Sequence, residues 1–337
     1  MKKFKIITVI VLSLAIIGIL FFAIFNQENN IAFTPQKNTS TNYNNYIFFN
    51  YLDYAYDKFA FVKDGLLKSK LTVIDSKNNY KNLSEINPPF SIYRDKIIHL
   101  NKENLTVTDI NTNSDSLIQS NVYNFMVYKD SVIFHTNSLT NNKTDIEKNS
   151  LYIYDLVSEK KQILYKDVSA FCINKDKLFI ITKENMLIEM SLDSLAVKDI
   201  MQIDITSYPI YFIVYKEKII LQNSTNRFDI IDLNSKEITP LYISNKSYDN
   251  NKVSFICDDN NFYYSFQATK TDGSVVINTA SDNNGLWKVN IETLEKEKVL
   301  DETFNSLYLF EENLLFGIRE SNLFRIDTTN KCCEKIN

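Results

Sequence analysis

The sequence predicts an all-β fold, a seven-bladed β-propeller behind an N-terminal transmembrane helix, and three observations carry the propeller prediction. A short motif, an apolar run that ends at Asp or a similar polar residue, occurs seven times in the chain. An aromatic-rich apolar run, a charged turn and a further apolar run precede each copy. Gly and Pro number only five each, whereas Tyr and Phe number 20 and 23, which favours strands.

The repeat spacing sets the predicted architecture. The seven motif copies begin at Leu71, Leu105, Leu151, Leu187, Phe228, Leu286 and Leu323. The charged turns before them fall at Asp57, Asp95, Asp130, Asp176, Glu217, Asn260 and Glu312. Each unit therefore contains four short strands, and a period of about 40–45 residues is typical of a propeller blade. We predict seven blades over residues 46–337, with six or eight blades as the alternative counts.

The patterns within a unit assign the strands. The continuous apolar run in FMVYKD, from Phe125, predicts an inner strand buried between neighbouring blades. The clearer alternation in LYIYD, from Leu151, predicts an outer, half-exposed strand that ends at Asp155. The first unit starts with its own first strand and the last ends with its own fourth, so we expect ring closure by packing rather than by a shared sheet.

The first residues predict a membrane anchor. Lys2, Lys3 and Lys5 precede Ile6 to Phe25, an uncharged run long enough to cross a bilayer core of about 30 Å as a helix. A cleaved signal peptide is the alternative, but its apolar core is normally shorter and ends at a small-x-small site. The basic flank predicts residues 1–5 in the cytoplasm, 6–25 as a single-pass anchor in the cell membrane, 26–45 as a polar linker and the propeller outside the cell.

The repeated acid is the first candidate for chemistry. Asp75, Asp109, Asp155, Asp232 and Asp327 share one repeat position, which Ser191 and Asn290 occupy in the other two units. Asp, Asn and Ser share the ability to accept hydrogen bonds from nearby backbone amides in a turn, whereas a catalytic carboxylate tolerates neither replacement. We therefore interpret these residues as turn residues.

The positions of the histidines and cysteines argue against a metal site and against disulfide bonds. His99 and His135 are out of register by one residue relative to their turn acids, so we expect them on opposite sides of their sheets. Cys172 and Cys257 belong to units that are not neighbours, and Cys332 and Cys333 are adjacent in one strand. We expect four unbridged cysteines and no metal site.

Known catalytic and cofactor motifs are missing from the sequence. It contains no G-x-G-x-x-G, Walker loop, H-E-x-x-H or G-x-S-x-G. TKTDGS, from Thr269, and SDNNG, from Ser281, lack the spaced acids of a calcium loop, so ordinary turns explain them better. Two His and four Arg (Arg94, Arg227, Arg319 and Arg325) make a catalytic cluster hard to assemble. We therefore predict no cofactor and no catalytic residue.

Loop length points to a binding rim. The third and sixth units carry extra residues between their second and third strands, at Asn137 to Asn149 and at Ala268 to Asn284. In a propeller these connections open on the face that also carries the loops between blades. We name Asn137, Asn149, Ala268 and Asn284 as the bounds of the candidate ligand-binding loops; unselected surface length is the alternative explanation.

The repeat units resemble the low-density-lipoprotein-receptor-like propeller repeats of bacterial membrane-anchored proteins of unknown function. The resemblance rests on units such as LYIYDLVSEKKQIL and LWKVNIETLEKEKVL, from Leu151 and Leu286, whereas the Tyr-Trp-Thr-Asp tetrad of the receptor type is missing. It implies a fold, an extracellular location and a binding role.

Together these patterns predict a non-enzymatic binding or scaffold module for a protein or cell-envelope component. The net charge of −4 argues against nucleic acid as a partner. Two alternatives remain: an extracellular hydrolase or lyase with its site at the mouth of the channel, and an accessory subunit of a membrane complex.

Overall fold

The structure is a computed structural model. It describes residues 52–336 except for positions 56–57, 64–69, 76–79, 85, 87–88, 137–148, 206–209, 225, 245–251, 259, 273–274, 312 and 321. The predicted anchor and linker lie outside the described residues. Within the described part, no helix is long and apolar enough to cross a membrane.

The described residues form seven four-stranded antiparallel sheets, which we number 1 to 7 in chain order, and one separate two-stranded hairpin. Sheets 1 to 4 contain β1 Leu52–Ala55, β2 Lys58–Lys63, β3 Lys70–Asp75, β4 Tyr80–Ser84; β5 Phe90–Tyr93, β6 Lys96–Asn101, β7 Asn104–Asp109, β8 Asp115–Gln119; β9 Val122–Tyr128, β10 Ser131–Thr136, β11 Leu151–Asp155, β12 Lys161–Tyr165; and β13 Val168–Asn174, β14 Lys177–Thr182, β15 Met186–Ser191, β16 Val197–Gln202.

The remaining strands complete the fold. Sheets 5 to 7 contain β17 Tyr211–Tyr215, β18 Lys218–Ser224, β19 Arg227–Asp232, β20 Ile238–Tyr242; β21 Lys252–Cys257, β22 Asn261–Gln267, β25 Gly285–Asn290, β26 Lys296–Leu300; and β27 Ser306–Glu311, β28 Leu314–Arg319, β29 Asn322–Asp327, β30 Cys332–Ile336. The hairpin, β23 Thr269–Asp272 and β24 Val275–Asn278, is inserted into sheet 6.

The sheets are arranged as in an all-β propeller. Within each sheet, hydrogen-bonded strands follow one another in chain order, so every predicted unit is one up-and-down sheet. The first strands of consecutive sheets contact one another, as β1 with β5 and β13 with β17 do, which places them on the inside of the arrangement. As predicted, sheet 1 starts with its own first strand and sheet 7 ends with its own fourth.

Burial differs from the prediction in sheet 3. The apolar run from Phe125 predicted a first strand buried on both faces, but Met126 and Val127 are only half-buried. The second strand is the buried one, since Val132, Ile133 and Phe134 are fully inaccessible. The first strands of sheets 4 and 5 are buried as predicted, over residues 171–173 and 212–215, so the half-burial of Met126 and Val127 is particular to sheet 3.

The largest core cluster joins sheets 4, 5 and 6. At its centre Phe228 makes edge-on contacts with Phe255 and Phe262, with ring centroids 5.0 Å and 4.8 Å apart. Such aromatic pairs contribute about 0.5–1.5 kcal/mol beyond their buried area. The aromatic-rich composition therefore supplies the packing between adjacent sheets.

Many residues other than glycine adopt a positive φ angle in the turns. Seventeen described non-glycine residues have positive φ, including Arg94, Lys129, Lys175 and Lys216 in turns between first and second strands. A left-handed conformation costs a non-glycine residue free energy, and the chain has only five glycines to avoid that cost. The fold therefore contains strained positions that follow directly from its composition.

A backbone hydrogen bond ties together the two turns of each sheet from sheet 2 onward. The residue after the third strand donates its amide to the carbonyl of the charged-turn residue, as Leu156 does to Asp130 at 2.8 Å. The acceptors are Asp95, Asp130, Asp176, Glu217, Asn260 and Asn313. In sheet 7 the acceptor is Asn313, one residue after Glu312, the predicted turn acid; the register of β27 and β28 shifts between Leu309 and Glu311. Glu312 and Asp57 lie outside the described residues.

Candidate functional site

Four of the five repeated acids are turn residues, as predicted; the turn that follows Asp75 lies outside the described residues. Asp155 Oδ1 accepts hydrogen bonds from the backbone amides of Val157 and Ser158 at 2.9 and 2.6 Å. The carboxylates of Asp109, Asp232 and Asp327 and the amide oxygen of Asn290 accept bonds from the same two positions of their own turns. The amide of Ser158 holds the pKa of the Asp155 carboxyl below its ordinary value. The Asp155 carboxylate is therefore engaged in hydrogen bonds within its own turn.

The two histidines lie in different sheets. His99 bonds Thr108 Oγ1 through Nε2 at 2.8 Å within sheet 2. His135 lies in sheet 3, in edge-on contact with the ring of Tyr123 at 6.0 Å between centroids. Burial lowers the pKa of His135 to about 4, so its imidazole is neutral at physiological pH. Among the described residues, no three His, Cys, Asp or Glu side chains cluster as metal ligands do.

The cysteines are unbridged, as predicted. All four are free thiols; Cys172 and Cys257 are buried, whereas Cys332 is exposed and Cys333 half-buried. Burial raises the pKa of the Cys172 thiol to about 12. A thiol of that pKa is inert as a nucleophile at neutral pH.

Two edges of the propeller differ in their connections. We call loop face the edge where second strands lead into third strands and where each sheet leads into the next. Both kinds of connection share that edge because consecutive strands are antiparallel. The predicted rim loops are placed there: Asn137 to Asn149 falls between β10 and β11, and Ala268 to Asn284 between β22 and β25. Positions 137–148 lie outside the described residues.

The sixth insertion is a hairpin, where the sequence predicted ordinary turns. Four residue pairs join β23 and β24, from Thr269 opposite Asn278 to Asp272 opposite Val275. TKTDGS therefore contains the strand β23, Thr269–Asp272, where a simple turn was expected. Ile277 on β24 is 48% exposed, which leaves an apolar side chain in solvent on the loop face.

Hydrogen bonds fix the base of this hairpin. Ala268 donates its amide to Asn284 Oδ1 at 2.8 Å, and the Asn284 Nδ2 group donates to Thr279 O at 2.8 Å. The insertion ends at Gly285, which has φ of 131°, and a Cβ added there would collide with the carbonyl oxygen of Leu300. The hairpin is therefore held by a specific side-chain network and a glycine that no other residue replaces without strain.

The base also contacts neighbouring sheets. Asn283 Nδ2 donates to Ser244 Oγ at 3.4 Å, beyond the end of sheet 5, and Trp287 Nε1 donates to Asn283 O at 2.8 Å. On the other side, Thr303 Oγ1 donates to Gln267 Oε1 at 3.1 Å. The hairpin consequently projects from a base held by the segments that flank sheet 6.

The central opening has aromatic residues on the loop face. Tyr123 is the second residue of the inner strand of sheet 3 and Tyr211 is the first residue of that of sheet 5. They are close enough to interact electrostatically. Burial and the neighbouring Tyr123 raise the pKa of the Tyr211 phenol, so the Tyr211 side chain is neutral at physiological pH. Deeper in, Met126 packs against the large core cluster of sheets 4 to 6. The described part of the mouth thus carries two tyrosines, with Met126 packed further in.

Sequence reasoning missed one polar group on the loop face. Arg227, Asp229 and Asn223 form a hydrogen-bonded cluster at the loop-face end of sheet 5. The only signal in the sequence was the Asp of FDIID that falls at an otherwise apolar strand position.

Known structures resemble this chain in fold, at low sequence identity. No family model and no curated protein matches the chain. Two structures of the extracellular domain of BT4673 from B. thetaiotaomicron, a putative one component or hybrid two component system, resemble it with 11% and 12% identity and a TM-score of 0.53. The match covers 83% of this chain and 40% of that one. The N-terminal domain of Nup159 matches 85% of this chain and 88% of its own at 10% identity and a TM-score of 0.48.

The likeness to the BT4673 domain shows the fold alone. The chain is an all-β propeller. The resemblance to the low-density-lipoprotein-receptor-like repeats stays a prediction, since no family model matches.

Proposed function

We propose that this chain is a non-enzymatic binding module, anchored in the cell membrane through Ile6 to Phe25, that presents its propeller outside the cell. It binds a protein or cell-envelope component through the loop face. The observation that carries the proposal is the β23–β24 hairpin, which projects an exposed Ile277 from a base fixed by Asn284 and Gly285. Projecting segments on a rigid scaffold are what binding surfaces are commonly built from.

The fold comparison supports the location in this proposal. The BT4673 domain that shares the fold is an extracellular domain. A fusion of a periplasm- or surface-active reporter enzyme to the C-terminus tests the orientation, with activity expected only if the propeller is exported. Deletion of residues 6–25 is the matched control and should abolish that activity.

We also infer that all seven four-stranded sheets are blades of one ring. Contacts between consecutive first strands run from β1 to β9 and from β13 to β27, and each sheet comes from one repeat unit. An experimental structure tests the count: seven blades with sheet 1 packed on sheet 7 are expected, and a sheet outside the ring would refute it.

Crosslinking from membranes tests the binding face. A photoreactive amino acid at Ile277 should form a defined adduct in living cells. The same probe at Val157, which is 68% exposed in a turn at the opposite edge, is the matched control. Replacing residues 270–277 by a short turn should remove the partner from a membrane pull-down. Equal adducts from both probes, or an intact pull-down, would refute the face assignment.

A further inference from the structure

Arg227 occupies a defined place on the loop face. It is the first residue of β19 and follows a two-residue connection from Ser224, the last residue of β18. Its cross-strand partner is Tyr242 at the end of β20. Both side chains therefore stand at the rim of sheet 5, on the edge of the propeller that carries the β23–β24 hairpin.

A buried carboxylate holds the Arg227 side chain. Asp229 is 1% exposed, and its Oδ1 accepts a 2.6 Å hydrogen bond from Arg227 Nε. Its Oδ2 accepts a bond from Asn223 Nδ2, and the same amide group donates to Asp204 O at 2.9 Å. A carboxylate removed from water is strongly destabilising unless it is paired, so Asp229 requires Arg227 in this orientation.

The pairing through Nε leaves the outer edge of the guanidinium available. Among the described residues, the Nη1 and Nη2 groups of Arg227 have no hydrogen-bond partner, and the side chain is 32% exposed. The guanidinium carbon lies 5.8 Å from the ring centroid of Tyr242, which is 56% exposed. Two parallel N–H donors of a partly exposed side chain therefore have no partner among the described residues, beside an accessible aromatic ring.

Two other arginines of the chain, Arg94 and Arg319, are used differently. Arg94 is bound through Nη2 to Asp130 at 2.6 Å. Arg319 lies near Glu302 through Nη1 at 3.9 Å and stacks over the ring of Phe324 at 4.4 Å. In both, an acidic side chain already faces the outer edge that Arg227 presents to solvent.

We propose that Arg227 binds a carboxylate group of the ligand through Nη1 and Nη2, with Asp229 and Asn223 as positioning residues. A guanidinium edge matches a planar carboxylate with two parallel hydrogen bonds. Because Asp229 already neutralises the charge of Arg227, the site favours a singly charged ligand group over a phosphate dianion. The proposal rests on the proposed role of the loop face and names the chemistry that it recognises.

Nuclear magnetic resonance of the arginine side chains tests the proposal directly. The full chain, embedded in lipid nanodiscs and labelled with ¹⁵N-arginine, has only four arginines to assign. Acetate is the probe, and chloride of equal ionic strength is the control. We expect saturable shifts of the Arg227 guanidinium signals with acetate and none with chloride, while the Arg94 signals stay in place.

Variants separate recognition from folding. R227K keeps the charge but loses the paired donors, and about tenfold weaker acetate binding is expected. D229N should weaken binding by releasing the Nε group, and R94K is the control that should bind as the unaltered chain does. Thermal melting checks each fold; if D229N unfolds, R227K carries the test.

Three outcomes would overturn the proposal. These are equal shifts with chloride, unchanged acetate binding in R227K, and tighter binding of inorganic phosphate than of acetate. Because no macromolecular partner is used, the result is independent of the crosslinking at Ile277. Acetate binding without a crosslink refutes the hairpin as the binding surface, and a crosslink without acetate binding refutes only the role of Arg227.

Discussion

The Tyr93 hydroxyl donates a 2.6 Å hydrogen bond to Asp130 Oδ1, and so joins the turn of sheet 2 to the turn of sheet 3. Arg94 reaches the same oxygen through Nη2 at 2.6 Å while its guanidinium lies over the Tyr93 ring, 5.1 Å from the centroid. Asp130 thus links two adjacent sheets through a phenol and a cation at once.

Removing the Asp130 carboxylate should destabilise the propeller. For Asp130→Ala we expect a loss of about 1 kcal/mol in the free energy of unfolding, a modest value because both charged partners are half exposed. Urea denaturation measures it. Asp193→Ala, which removes a more distant pair of 3.6 Å with Lys129, is the control and should have no measurable effect. An equal loss in both variants would show that the Tyr93 bond contributes nothing.

The turn acids predict a pH dependence. Backbone amides hold the pKa values of Asp109, Asp155 and Asp232 below their ordinary value. Each carboxylate therefore adds stability above the unfolded-state pKa of about 4, and the contribution disappears as the pH falls through the lower folded-state pKa. The triple Asn variant should keep the turns, as Asn290 does, and should lose less stability between roughly pH 5 and pH 2. Urea midpoints across that range measure it, and identical acid slopes in both proteins would contradict the assignment.

Two adjacent buried tyrosines should respond oppositely to loss of the hydroxyl group. Tyr264 Oη is buried with no hydrogen-bond partner among the described residues, whereas Tyr263 Oη donates to Asp258 Oδ2 at 2.8 Å. Tyr264→Phe should raise the free energy of unfolding by about 1 kcal/mol, because it removes an unpaired polar group from the core. Tyr263→Phe should lower it by a similar amount, because Asp258 loses a donor. Calorimetry measures the stability of both variants, and a destabilised Tyr264→Phe variant would reveal a partner for that hydroxyl.

A strained turn position offers a fourth test. Lys175 is exposed in the turn between β13 and β14 and has φ of 56°. Lys175→Val should destabilise the chain by about 1–2 kcal/mol, since a β-branched residue is poorly accommodated there. Lys175→Gly should be neutral or slightly stabilising, because glycine adopts positive φ freely. Thermal melting of both variants checks it, and equal stability would exclude strain at this turn.

Periodicity predicted the strands and turns well, because each rests on local chemistry. The role of Asp155 followed from its replacement by Ser and Asn elsewhere, and hydrogen bonds within one turn confirm it. Insertions were placed correctly because chain length between repeat positions can be counted. Local patterns could not show that Ala268 to Asn284 forms a hairpin, whose base depends on Ser244 and Gln267 in other parts of the chain.

The missed features depend on strand pairing and on packing between sheets. The half-burial of Met126 depends on what packs against sheet 3, so an apolar run could not reveal it. Arg227 looked like one of four scattered arginines, and its orientation by Asp229 and Asn223 emerged only once β18 and β19 were paired. The register shift in sheet 7, which places the acceptor at Asn313 and not at the predicted turn acid Glu312, likewise follows from strand pairing.

The chain has a single tryptophan, and its indole N–H is bonded to Asn283 at the base of the hairpin, with the Lys296 amine 4.3 Å from the ring centroid. Indole fluorescence responds to hydrogen bonding and to nearby charge. Trp287 therefore gives the protein an intrinsic optical reporter at the foot of its candidate binding rim. A ligand that shifts the hairpin would change the emission of the unlabelled protein, so partners can be screened in a cuvette before any is known.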